Sequence, residues 1–228
     1  MPETIPASEL WDENRVQRYL KMYGDPREKR GSQSQLCMDA SQHLKGDSVL
    51  DVACGIGHLV PFIGRRRYFG IDLSRNMLAK AQYFFPDREF MNGDATQFDM
   101  GCEFGTVVSV SLLLHLTDNQ AEKALRCMLN HVAPGGRLVF GMETLGDSVQ
   151  KRQSGLIIRN QSIDSVLHLL QRLLKERDVA SAWFVKHHPQ KLVYQTISEI
   201  IYSREDPYRI VGNRPIAQTT LFTVDRGE

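Results

Sequence analysis

VLDVACGIGHLV, residues 49–60, is the stretch on which the fold turns. An apolar run leads to Asp51; Ala53, Gly55 and Gly57 follow at alternate positions, and a helix is expected next. Glycine accepts the backbone angles of a tight turn and lets backbone N–H groups come close to a ligand. Such a turn at the end of a strand is where α/β proteins hold nucleotides. Alone it says little, because a sheet-to-helix turn that binds nothing uses the same residues.

Outward from that turn, acids recur at strand ends. Asp72 closes the next apolar run, YFGID, about 20 residues beyond Asp51. An acid there can accept hydrogen bonds from both ribose hydroxyls. It can also serve the start of the helix that follows Ser74. Asp94, in NGDA, stands one more strand–helix period along. Its carboxylate can accept from an adenine amino group, with the Ala95 amide as donor, or it can close an ordinary Asn-Gly-Asp turn. Three acids at three successive strand ends fit one adenosine site better than three unrelated turns.

The rest of the centre alternates in the same rhythm. Val49–Ala53, Tyr68–Leu73, Glu89–Met91, Thr106–Ser111 and Arg137–Met142 read as strands. SRNMLAKAQYFF and DNQAEKALRCMLNHV read as helices between them. Strands alternating with helices imply right-handed crossovers and a mostly parallel sheet. Before this core, residues 8–23 place Leu10, Val16, Tyr19, Leu20 and Tyr23 at helical spacing, with Ser8 as N-cap. Gly24–Gln35 reads as a polar loop and Ser34–Leu44 as a second helix. After Glu143 the pattern changes. Residues 145–160 are turn-rich, and Ser162–Arg177 is a strongly amphipathic helix carrying Ile163, Val166, Leu167, Leu170, Leu173 and Leu174 on one side. Gln190–Arg204 reads as a last helix, with Val193, Ile197, Ile200 and Ile201 in phase and Pro207 as its limit. Tyr208–Val211 and Ala217–Val224 read as a closing antiparallel strand pair.

The stretch from about Val49 to Met142 resembles the class I S-adenosylmethionine-dependent methyltransferases. DVACGIG, GIDLSRNMLAKA, NGDA, FGTVVSVSLLLHL and APGGRLVF carry the resemblance. Ala53 stands where that family usually has the first glycine of D-x-G-x-G-x-G, and Gly105 where it usually has an acid before strand four. The resemblance implies S-adenosylmethionine as cofactor. It also implies roles by position: Asp51, Ala53, Gly55 and Gly57 around the methionine moiety, Asp72 on the ribose, and Leu73 beside adenine. Asp94 and Ala95 would read the adenine edge, with Ser109 and Val110 near the methyl-bearing sulfonium. The fold implied is Rossmann-like: a mostly parallel sheet with a closing antiparallel strand pair and a helical insertion after strand five. One domain is expected over residues 1–228, with an N-terminal helical cap (1–45) and a cofactor-binding core (46–144). A helical insertion (145–189), either an acceptor lid or a dimer interface, precedes the last helix and closing strands (190–228).

Methyl transfer is an in-line displacement at an activated carbon, so the protein must mainly align nucleophile and methyl group and sometimes remove a proton. No fixed catalytic residue is required. His115 after strand four is the candidate base, unless it only packs or caps the helix at Thr117–Gln120. Glu143, with Thr144, ends strand five where a polar side chain reaches substrate. Tyr19 and Tyr23 are candidates to close over the cofactor, and Arg27 or Arg30 to meet the methionine carboxylate. His187–His188 lacks an acid partner at ligand spacing, so no metal is expected. Trp183, Phe184 and these histidines are candidates for the acceptor pocket.

Composition narrows the acceptor. Lys+Arg number 28 against 27 Asp+Glu, a formal charge of +1, so nothing pulls the chain toward a phosphate backbone. The four cysteines lie far apart, which suits free thiols in the cytoplasm. The first residues are polar and acidic, unlike a signal peptide, and no apolar run approaches the ~20 residues of a membrane span. SVSLLL replaces the Asn/Asp-Pro-Pro-Tyr/Phe of many base-amino methyltransferases, and no Pro-Cys pair offers a covalent nucleophile. Val60 sits where a dinucleotide fingerprint needs its third glycine. A small-molecule acceptor, methylated on N or O rather than C or S, is the expectation, in a monomer or homodimer. The alternatives are a non-catalytic S-adenosylmethionine-binding sensor or partner subunit, and an RNA or protein methyltransferase.

Overall fold

The computed structural model describes residues 11–144, 151–153, 156–158, 166, 168–170, 172–173, 179–188, 191–196 and 218–227. Helices α1 (Glu13–Tyr23) and α2 (Gly31–Ser41) precede the sheet. Then come β1 (Ser48–Val52), β2 (Arg67–Asp72), α3 (Arg75–Phe84), β3 (Glu89–Asn92), β4 (Phe104–Val110), α4 (Asp118–Asn130) and β5 (Val132–Thr144). A small hairpin pairs β6 (Lys151–Gln153) with β7 (Leu156–Ile158). β8 (Val179–His188), β9 (Lys191–Thr196) and β10 (Gln218–Arg226) complete the main sheet. Its order is β3-β2-β1-β4-β5-β10-β8-β9. The first five strands are mutually parallel. β10 runs antiparallel to both β5 and β8, and β9 antiparallel to β8. The mostly parallel sheet with antiparallel closure therefore matches expectation.

Strand parity divides the core. Leu50, Val52, Val107, Leu138 and Phe140 face Ala121, Ala124, Leu125 and Met128 of α4. Val49, Val108, Val110 and Val139 point the other way, onto Leu36, Cys37 and Ala40 of α2 and onto Leu59, Val60 and Ile63. A parallel sheet covered on both faces needs apolar residues at both parities. α4 starts on a capping box, in which Gln120 N–H donates to Thr117 Oγ1 and Thr117 N–H to Gln120 Oε1. α1 is capped by Asp12, which accepts from Arg15 N–H; Ser8 lies outside the described residues.

Several expectations are corrected. No α-helix follows the glycine turn: the chain makes turns and one 3₁₀ turn, Val60–Phe62. Pro61 and Gly64 leave too short a run between breakers for a helix to form. α2 begins at Gly31, within the stretch expected to be loop. Lys191–Thr196 is a strand, not part of a helix, and Val179–His188 is a strand within the expected helical insertion. Cross-strand pairing with β10 and with each other overrides the weak helical periodicity there. The described residues of the amphipathic segment, 166, 168–170 and 172–173, are helical. Val166, Leu169, Leu170 and Leu173 bury into the same core as α4. The expected strand Tyr208–Val211 lies outside the described residues.

Gly105 has a local cause. A Cβ there would stand 2.8 Å from the Lys45 carbonyl oxygen and 2.9 Å from Gly46 Cα. Backbone cannot yield as a side-chain tip does, so any side chain is excluded. The neighbouring Thr106 Oγ1 locks this approach, accepting from Lys45 N–H at 2.6 Å and donating to Lys45 O at 2.7 Å.

Candidate active site at the carboxyl edge of the sheet

The glycine turn is wound left-handed three times. Ala53, Gly55 and Gly57 have φ of 62°, 56° and 87°. For Ala53 this costs about 1–2 kcal/mol, a strain of the kind found at ligand sites. Backbone bonds within and beside the turn run from Cys54 N–H to Ile71 O at 2.9 Å and from Gly57 N–H to Cys54 O at 3.0 Å. A Cβ at Gly57 would also crowd the Phe85 ring at 3.0 Å, an approach to which the ring would have to yield. At Gly55 nothing lies within 4 Å of a Cβ. Among the described residues no atom therefore demands a glycine there beyond its φ, and they leave open space over the turn.

Asp72 borders that space. Its Oδ2 accepts from Gly55 N–H and its Oδ1 from Ser74 N–H, both at 2.8 Å. A carboxylate offers about four lone-pair sites, so each oxygen keeps one for a further donor. Burial raises the Asp72 pKa, with the Ser74 and Gly55 amides opposing. Asn92 Nδ2 donates to the Asp72 and Leu73 carbonyls and pins the ends of β2 and β3 together. Asp94 lies beyond β3; its Oδ1 accepts from both Thr96 N–H and Thr96 Oγ1. Leu73 and Ala95 are half-buried nearby in the chain.

Asp51 is buried at the end of β1, and its Oδ2 accepts from Tyr68 Oη at 2.8 Å. Burial pushes its pKa up to about 7; the Tyr68 hydroxyl opposes this and the Asp72 charge adds to it. α1 lies over the turn, with Val16 packed on Ile56 and Met77 and flanked by Trp11, Tyr19, Leu20 and Phe84. Burial raises the Tyr19 phenol well above its usual pKa, and the Cys37, Tyr23, Asp72 and Asp51 charges add to it. Arg27 is committed elsewhere: it is bonded to Asp25 at 2.6 Å and lies over the Phe84 ring.

The end of β4 is less exposed than the residue pattern suggests. Ser109 is fully buried and its Oγ donates to Val52 O at 2.8 Å; Val110 packs into the α2 side of the core. Both side chains are thus spent inward. Ser111 follows with φ 63°. His115 is exposed at the end of a 3₁₀ turn, Leu113–His115. Glu143 lies on β5, in register with Thr219 of β10 and beyond Gly141, the partner of Val110. The structure thus ties Asp72 to the glycine turn through Gly55 N–H, with Asp51 buried at the end of β1 and Asp94 one strand further out. Ser111, Asn92 and His58 were not singled out by the sequence; their signal is conformational or a matter of hydrogen-bond partners. Among the described residues no group of three or more His, Cys, Asp or Glu is arranged to hold a metal ion. None of the described helices is long and apolar enough to cross a membrane.

The chain has known relatives and structural neighbours. A methyltransferase domain family model matches residues 49–136. A Streptomyces venezuelae dTDP-3-amino-3,4,6-trideoxy-alpha-D-glucopyranose N,N-dimethyltransferase is 35% identical over 103 residues, covering 43% of this chain and 44% of that protein. The demethylmenaquinone methyltransferase of Renibacterium salmoninarum is 35% identical over 116 residues, covering 49% of this chain and 48% of that protein. The chain thus spans less than half the length of these two relatives in its matches. A solved S-adenosylmethionine-dependent methyltransferase from Clostridium acetobutylicum superposes with a TM-score of 0.61 at 13% identity, over 93% of this chain and 99% of that one, a likeness of fold. With the strand-end acids and the left-handed glycine turn between them, these likenesses identify residues 49–136 as a methyltransferase domain on a Rossmann-like fold.

Proposed function

We propose that the chain transfers a methyl group from S-adenosylmethionine to a nitrogen or oxygen of a small organic molecule. One observation carries the reading: the Asp72 carboxylate borders the open space over Gly55, with a lone pair left on each oxygen. Two such acceptors suit the two ribose hydroxyls. Asp94 and the Ala95 amide are assigned to the adenine edge and Leu73 to its face. Asp51, Ala53, Gly55 and Gly57 are assigned to the methionine end. Ser109 and Val110 contribute only backbone at the end of β4. The cofactor, when bound, supplies a methyl group already activated by its sulfonium. The chain's own task is to fix the acceptor in line, exclude water and take up a proton.

A small acceptor is supported by the relatives, one named for an amino sugar nucleotide and one for demethylmenaquinone. The near-neutral charge of the chain also argues against a polyanion. The four free cysteines suit the cytoplasm. The stretch 145–217, most of it outside the described residues, is where acceptor specificity or a homodimer interface would be encoded. The test is transfer of label from methyl-labelled S-adenosylmethionine to a cell extract split by size. Label in the small-molecule fraction supports the reading; label confined to RNA or protein overturns it.

His115 is assigned as the base. With an acceptor in hand, His115→Ala should lower kcat by roughly 100-fold or more while cofactor affinity holds. Unaltered turnover would return His115 to a packing role. Glu143 is the second candidate, and Glu143→Gln is read in the same assay.

Asp51 gives a pH dependence. Its pKa in the folded chain, about 7, lies above the unfolded value near 3.8, so unliganded stability falls as pH rises through that window. A cationic ligand beside it favours the carboxylate. Affinity for S-adenosylmethionine should therefore rise from pH 6 to 8, with proton release measurable by calorimetry in buffers of different ionisation enthalpy. Tyr68, Cys54, Cys37, Tyr19 and Asp72 share this environment. The control is Asp51→Asn, which should flatten the dependence; a slope that persists assigns the titration to another group.

A further inference from the structure

His58 directly follows the glycine turn and is 3% exposed. Its Nδ1 lies 3.2 Å from Oγ of Ser34, a residue of α2 that is itself 0% exposed. A buried hydroxyl proton needs an acceptor, and Nδ1 is the one that Ser34 reaches. Ser34 therefore donates, and the imidazole carries its proton on Nε2. Among the described residues Nε2 has no hydrogen-bond partner. Burial keeps the ring neutral, drawing its pKa down to about 4 against the opposing Asp25 carboxylate. His58 is thus a fixed, neutral, desolvated donor with no acceptor among the described residues. Buried donors of that kind are rare, and each calls for a water, an ion or a ligand group to complete it.

Its position names the ligand group. Asp72 and Asp94 lie toward β2 and β3. His58 is tied to α2, which packs on β4 and β5, and the Tyr19 ring of α1 stands 5.9 Å away. A nucleoside held by Asp72 and Asp94 would project its 5′ substituent across β1 toward His58. In S-adenosylmethionine that substituent holds a sulfonium and an ammonium, which cannot accept a hydrogen bond, and a carboxylate, which can. We propose that His58 is a cofactor-binding residue whose Nε2–H donates to the carboxylate of the methionine end, an assignment that rests on the cofactor reading above. Ser34 is then a positioning residue that sets the tautomer.

Calorimetry with two ligands tests this. S-adenosylhomocysteine has the carboxylate; 5′-methylthioadenosine keeps the nucleoside and thioether without it. His58→Phe should weaken S-adenosylhomocysteine roughly 10- to 100-fold and leave methylthioadenosine unchanged. His58→Gln, which keeps a donor, should recover part of the loss. Nitrogen-15 NMR of the wild-type histidines needs no variant to fold. It should show a neutral Nε2–H tautomer at pH 7 whose Nε2 signal shifts with S-adenosylhomocysteine and not with methylthioadenosine. An equal loss for both ligands, no loss, or an unmoved Nε2 signal would overturn the assignment. Wild-type protein that binds neither ligand would overturn the cofactor reading instead.

Discussion

Asp72→Ala should weaken S-adenosylhomocysteine binding by ~100-fold or more. Two charge-assisted hydrogen bonds to the ribose are lost, each worth about 1.5–3 kcal/mol. The turn suffers as well, because the same carboxylate anchors Gly55 N–H and Ser74 N–H at 2.8 Å. Asparagine is a poor substitute, since its amide nitrogen would face one of those N–H donors. Calorimetry checks the effect, and a circular dichroism melt confirms that the variant is folded. Methylthioadenosine should lose affinity in parallel, because it keeps the ribose. That parallel loss separates Asp72 from His58. Unchanged affinity for both ligands would remove Asp72 from the site.

Phe222→Ala should have the largest effect on stability, about 3–5 kcal/mol. Phe222 is 0% exposed and stacks on Phe140 with ring centroids 4.9 Å apart and planes 9° from parallel. It sits on β10, the reversed strand inserted between β5 and β8. Val224 on the same strand joins the same core, and Arg137 of β5 grips Asp225 at 2.6 Å. Truncation leaves a cavity between elements far apart in sequence, which cannot collapse locally. At roughly 2–4 °C per kcal/mol for a domain of this size, the melting temperature should fall by about 6–20 °C. A change under ~1 kcal/mol would mean that β10 does not close the sheet as described.

The parallel half of the sheet was legible because its signal is local. β1, β2 and β4 are short apolar runs followed by turn residues, and period-two parity sends Val49 and Leu50 to opposite cores. The acids at the ends of β1 and β2 were legible for the same reason. The closing strands were harder. Leu192, Val193 and Tyr194 form an apolar run too short to distinguish strand from helix, and only pairing with β8 decides it. Pro61 could have excluded the helix after the glycine turn. Ser109 misled because a polar residue near a strand end reads as a site residue, yet its parity with Val107 turns it inward to the Val52 carbonyl. His58 stands in an apolar stretch and was not singled out; its interest comes from the absence of a hydrogen-bond partner among the described residues, which no sequence displays.

Calorimetric titration of the intact chain with S-adenosylhomocysteine, and in parallel with NAD, tests the central claim most directly. The glycine turn without a third glycine at Val60, and Asp72 beside the open space over Gly55, predict one S-adenosylhomocysteine bound per chain and no heat from NAD. Silence with S-adenosylhomocysteine, or binding of NAD in its place, would contradict the account.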